Sequence, residues 1–70
     1  MTDTEILYKN VKLACIDRNT TIGKVEKQAG LSRGYLERAK NQRSDVRVST
    51  IRKFAEVLDV SMLILMRGMY

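Results

Sequence analysis

The chain has 70 residues, of which 44% are hydrophobic and 30% charged, with a formal net charge of +5. That length holds one small domain, residues 1–70, with enough apolar matter for a compact core and too much for intrinsic disorder. Histidine and proline are missing and there is a single cysteine. This excludes Ser-His-Asp and Cys-His catalytic sites, the common Cys/His zinc sites and an internal disulfide.

The apolar spacing predicts an all-α chain, a compact bundle of about five short helices, with no run that reads as a strand. The first helix is expected from about Thr4 to Asp17. Leu7, Val11 and Ala14 recur at helical spacing, and Ile6, Cys15 and Ile16 widen the stripe. Cys15 falls in this pattern and reads as a small core residue. Thr2 or Asp3 suits the N-cap, and Glu5 suits the positive end of the helix dipole. Arg18-Asn19-Thr20 reads as the exit, because asparagine tolerates a left-handed backbone.

A second helix starts after Thr20 or Thr21. Ile22, Val25 and Ala29 share one face, and Gly30 ends it. The third starts almost at once, with Ser32 as N-cap and Leu31 before it as a staple residue. Leu36 and Ala39 face inward, with Tyr35 at the edge of that face. Asn41 to Asp45 is a polar break. Ser49 or Thr50 suits the cap of a fourth helix, where Ile51, Phe54, Ala55 and Leu58 give i, i+3, i+4, i+7 spacing. Ser61 suits the cap of a fifth, about Met62 to Arg67, stopped by Gly68.

The charge is unevenly placed. Residues 21–47 carry Lys24, Lys27, Arg33, Arg38, Lys40, Arg43 and Arg47 against Glu26, Glu37 and Asp45, a balance of +4, while residues 1–20 sum to zero and 48–70 to +1. A focused basic segment suits a polyanion partner as well as plain solubility. Within it, about residues 21–41, two short helices are joined by Gly30-Leu31-Ser32. Such a turn lets helices cross at roughly 90–120° in a helix-turn-helix.

Here the sequence resembles the lambda-repressor-like (Cro/C1-type) helix-turn-helix family. The residues that carry the likeness run from Thr21-Ile22-Gly23-Lys24-Val25-Glu26-Lys27-Gln28-Ala29-Gly30-Leu31-Ser32 through Arg33-Gly34-Tyr35-Leu36-Glu37-Arg38. They continue from Ser49 to Ser61, and with Ile6 to Ile16 as first helix the likeness spans nearly the whole chain. Two positions depart from the family pattern. Glu26 stands where alanine is usual, which calls for a partner such as Arg38 or Lys27, or for solvent. Ile22 stands where a DNA-contacting glutamine is common.

The resemblance implies binding to double-stranded DNA, with the third helix in the major groove. Its base-reading residues would be Arg33, Gly34, Tyr35, Glu37 and Arg38. Arg33 leads, since guanidinium pairs bidentately with guanine O6 and N7. Gly34 would permit close approach to the groove edge, and Tyr35 would touch a thymine methyl or a phosphate, or else cover the core. Glu37 would accept from cytosine N4, or stay a surface charge. Thr21, Lys24, Lys27, Lys40, Asn41, Gln42, Arg43, Ser44 and Arg47 would contact phosphates, which set register and affinity.

Met62 to Met66 is an unbroken apolar run that Met69 and Tyr70 extend. A helix buries one side only, so Met62, Leu63, Leu65, Met66, Met69 and Tyr70 suit a homodimer surface; the alternative is a monomer whose last turn folds back on the first helix. The run is too short to span a bilayer, and the polar N-terminus has no signal-peptide core. The expectation is therefore a cytoplasmic transcription regulator, most simply a repressor of bacterial or phage type. It would be no enzyme and would need no cofactor, metal, small-molecule ligand or membrane. With no room for an effector domain, control would come through concentration, dimerisation or a partner. A protein-interaction module on the same fold, antitoxin-like or adaptor, is the other reading.

Overall fold

The computed structural model describes residues 2–69. Its elements are α1 (Asp3–Asp17), α2 (Ile22–Gln28), α3 (Tyr35–Gln42), α4 (Val48–Leu58) and α5 (Met62–Leu65), with no strand among the described residues.

α1 begins in a capping box. The Thr2 hydroxyl accepts the Glu5 backbone N–H, and the Glu5 carboxylate accepts the Thr2 N–H at 3.1 Å. These bonds hold the Glu5 carboxyl below the usual carboxylate range; the Thr2 backbone contributes most, and the Arg43 charge adds a smaller pull. The helix buries Thr4, Leu7, Val11 and Cys15. The stripe is narrower than its sequence pattern, and Ile16 is 65% exposed. A step of four from Val11 brings Cys15 inward, and the next residue then points outward. Asn19 takes φ +56°, the left-handed exit expected of it.

The core joins α1 to all the others. Leu7, Val11, Val25, Leu36, Phe54 and Leu65 have no exposed surface, and Cys15, Ile51, Ala55 and Leu58 are nearly as buried. Each large side chain so enclosed contributes roughly 1.5–3 kcal/mol of transfer free energy. α4 turns Ile51, Phe54, Ala55 and Leu58 to this core at the expected spacing. Its start differs from expectation. The cap position is Arg47, without a side-chain cap, while Thr50 lies buried in the first turn.

α5 is shorter than its apolar run. Ser61 caps it, its hydroxyl accepting the Leu63 N–H at 3.2 Å, and regular helix ends at Leu65. Asn10 of α1 donates to the carbonyls of Leu65 and Arg67, both at 2.8 Å. The Leu65 bond satisfies a carbonyl at the end of the helix and the Arg67 bond holds the segment that follows, up to Gly68, which takes φ +86°. No helix among the described residues is long and apolar enough to cross a membrane.

Candidate nucleic-acid interface

α2 and α3 are held by residues that point away from solvent. Val25 of α2 and Leu36 of α3 are fully buried, and Leu31 in the turn packs half-buried against the same core. Gly30 leaves α2 with φ +76°, and the Leu31 N–H reaches back to the Glu26 carbonyl at 2.8 Å. Ile22 is half-buried against the core, so its departure from the family pattern is a packing choice.

The turn is longer than three residues. α3 starts at Tyr35, and its cap position is Gly34 at φ +82°, with no side-chain cap from Gly34 itself. Ser32 to Tyr35 forms a separate turn closed by the Tyr35 N–H on the Ser32 carbonyl at 3.2 Å. Ser32 therefore does not cap α3; its hydroxyl instead accepts from Arg38.

The cap comes from α2. Glu26 is 1% exposed, and its carboxylate accepts the backbone N–H of Gly34 at 2.9 Å and of Leu36 at 3.0 Å. A negative charge at a helix N-terminus with two backbone donors is a favourable arrangement, and both oxygens are used. Neither Arg38 nor Lys27 is the partner, and Glu26 is not near solvent.

The base-reading candidates divide into three kinds. Arg33 is exposed in the turn, and its side chain crosses the first turn of α2 at Gly23, where an added Cβ would stand 3.3 Å from the Arg33 Nε. Glu37 is exposed on α3. Gly34 and Tyr35 are half-buried, Tyr35 against the core, and the glycine is needed for its positive φ. Arg38 is turned onto its own chain: its guanidinium donates to the Arg33 carbonyl at 2.9 Å and to the Ser32 hydroxyl at 2.6 Å.

Among the phosphate candidates, Thr21 caps α2 through the Lys24 N–H, at 3.3 Å, and is itself exposed. Lys24, Lys27, Asn41, Gln42, Arg43, Ser44 and Arg47 are all exposed. Lys40 is set apart, with its ammonium 4.2 Å from the ring centroid of Tyr8 on α1. Arg43 ends α3 in the left-handed region, φ +55°. The loop behind it is pinned by the Thr4 hydroxyl, which donates to the Ser44 carbonyl. Sequence reasoning missed Gly23, and it singled out Glu26 but not its backbone partners at Gly34 and Leu36. A glycine in the first turn of a short helix was the available signal for Gly23.

Of the dimer candidates, Leu65 is fully buried and belongs to the core. Its inward position follows from the one face that a four-residue helix can bury. Met62, Met66 and Met69 pack half-buried against the core, and Leu63 is 78% exposed. Tyr70 lies outside the described residues. The exposed apolar surface instead continues onto α1. Leu13, Ile16 and Ile64 line a groove of about 540 Å³ between α1 and α5, with Asp17, Arg18 and Arg67 around it.

These features define an all-helical domain built around a helix-turn-helix. The family model of the Cro/C1-type helix-turn-helix DNA-binding domain matches residues 10–63, 54 of the chain's 70. The chain belongs to this DNA-binding family. Searches of curated proteins and of solved structures gave no match.

Proposed function

We propose that this protein is a sequence-specific transcription regulator, a repressor of bacterial or phage type, acting in the cytoplasm as a homodimer. Residues 1–70 serve as one domain. The turn before α3 and the first turn of α3 enter the major groove, where Arg33 pairs with guanine, and Tyr35 and Glu37 lie against neighbouring bases. Thr21, Lys24 and Lys27 contact phosphates on one side; Asn41, Gln42, Arg43, Ser44 and Arg47 do so on the other.

One observation carries this reading. Arg33 is an exposed guanidinium beside a peptide unit held at both of its polar groups, its own carbonyl accepting from Arg38 and the following Gly34 N–H donating to Glu26. A reader on a fixed base loses less freedom on docking. The dimer is supported by Leu13, Ile16, Leu63 and Ile64, which are 55%, 65%, 78% and 43% exposed. The groove that three of them line has Asp17 and Arg67 at its edge. A surface carrying both signs allows Asp17 of one copy to face Arg67 of the other across a two-fold axis.

The test is selection from a randomised duplex pool, followed by affinity measurements across a salt series for the wild type and Arg33→Ala. The expected result is an enriched palindrome with half-sites about one helical turn, roughly 34 Å, apart. Arg33→Ala should lose about 1–3 kcal/mol on that site and little on generic DNA. No enrichment, with binding abolished near physiological salt, would leave only a charged surface and reject the regulator.

A further inference from the structure

The surroundings of Arg33 carry an assignment for its neighbour. Arg38 reaches back from the first turn of α3 so that Nη1 meets the Arg33 carbonyl and Nη2 the Ser32 hydroxyl, at 2.9 and 2.6 Å. The guanidinium lies against Gly34, where a Cβ would come 3.2 Å from Nη1. Glycine at 34 thus provides both the positive φ and the space for the fork. A planar guanidinium can bridge two acceptors at fixed separation; a lysine ammonium keeps the charge but not the fork.

Arg33 is bounded on its other side by α2. Its Nε and Cγ stand 3.3 and 3.9 Å from where a Gly23 Cβ would be. An added Cβ would make that contact tight and push the stem of Arg33 outward by a few tenths of an ångström. The residue is therefore fixed twice, at its carbonyl by Arg38 and along its side chain by the glycine floor.

We propose that Arg38 is a positioning residue: it reads no base, but sets the direction in which Arg33 reads one, with Ser32 as its second anchor. This rests on the DNA-reading role of Arg33 proposed above, and it moves Arg38 out of the base-reading set that the sequence suggests.

The test compares the wild type, Arg33→Ala, Arg38→Lys, Ser32→Ala and Arg38→Lys/Ser32→Ala on the selected duplex and on all its single base-pair variants, across a salt series. Thermal melts confirm that each is folded. Arg33→Ala identifies the base pair that Arg33 reads. Arg38→Lys should then lose about fivefold or more of the preference at that same base pair, within the range a bidentate contact supplies. Its salt slope should stay at the wild-type value, because no charge is lost. Ser32→Ala should lose part of the same preference and add little on top of Arg38→Lys, since both break one bridge. A preference change at a different base pair would overturn the proposal, because Arg38 would itself be a reader. Full retention in Arg38→Lys would overturn it too, leaving only a charge, and so would a uniform loss at every position. If Arg33→Ala alters no position, the base-reading role itself has failed, and that variant alone reports it.

Discussion

Glu26 of α2 and Leu36 of α3 are joined across the turn of the helix-turn-helix, the Glu26 Oε2 accepting the Leu36 backbone N–H at 3.0 Å while Oε1 accepts that of Gly34 at 2.9 Å. The carboxylate is buried, so a donor left unmade there has no ready substitute in water. Glu26→Gln keeps one acceptor oxygen and turns an NH2 toward the other N–H. It should cost about 1–3 kcal/mol, the penalty of one unsatisfied buried donor. Glu26→Ala loses both bonds and should cost more. Chemical denaturation measures this, with equal stability of wild type and Glu26→Gln as the result that sinks it.

The same pair shows what could be read in the sequence and what could not. The apolar spacing places Leu7, Val11, Val25, Leu36 and Phe54 in the core, and all five are there. Periodicity is a local property, and so are the caps Thr2, Thr21 and Ser61, which act within three residues. Glu26 acts eight and ten residues away, through backbone groups that carry no side-chain signature. Ser32 satisfied the local rule for a cap and lost to this distant carboxylate. In the Met62–Met66 run, composition announced an apolar excess, but only the four-residue length of α5 decides that Leu65 is inside and Leu63 outside.

Arg43 should show opposite signs in stability and in binding. It holds φ +55° at the end of α3, where a side chain with a Cβ costs roughly 1–2 kcal/mol and glycine far less. Glycine also raises the entropy of the unfolded chain, which takes back part of that gain. Arg43→Gly should therefore stabilise the fold by about 0.5–1 kcal/mol. If Arg43 meets a phosphate as proposed, the same variant should weaken all duplexes alike and lower the log–log salt slope by about 0.9. A variant that is more stable and binds as before would remove Arg43 from the interface.

Cys15 should be silent until the domain opens. It is 2% exposed, and burial, aided by the negative charge of Glu26, pushes its thiol above the usual range. The native protein should resist alkylation at neutral pH, with labelling appearing along the denaturation curve. The sign with pH follows. A pKa raised by folding means that the stability is intact below the unfolded thiol pKa and falls as pH rises past it toward the folded value. Cys15→Ala should flatten that alkaline decline, and an unchanged pH profile would refute the link.

Thr2 and Glu5 work in the acid range. Removing the cap in Thr2→Ala should cost about 1 kcal/mol. The Glu5 carboxyl is held below its ordinary value, so its contribution is present above the unfolded carboxylate pKa and is lost as pH falls through the folded one. Thermal melts between neutral and acid pH should show a shallower acid decline in Glu5→Gln than in the wild type. An identical decline would mean that the capping box does not form in solution.

Leu63 and Leu65 are two positions apart and should fail in different ways. Leu65 has no exposed surface and its backbone is tied to Asn10, so Leu65→Glu puts an unpaired charge into a small core and should unfold the domain. Leu63 is 78% exposed, and a glutamate there stays in water and leaves the monomer folded. If the homodimer forms through this surface, Leu63→Glu should shift sedimentation toward monomer and weaken binding to the full palindrome far more than to a single half-site. Ile16→Asp, on α1 in the groove that Ile64 also lines, should do likewise, because Ile16 is 65% exposed and is not part of the buried core. Should both variants sediment and bind as the wild type does, the α1–α5 surface is not where two copies meet.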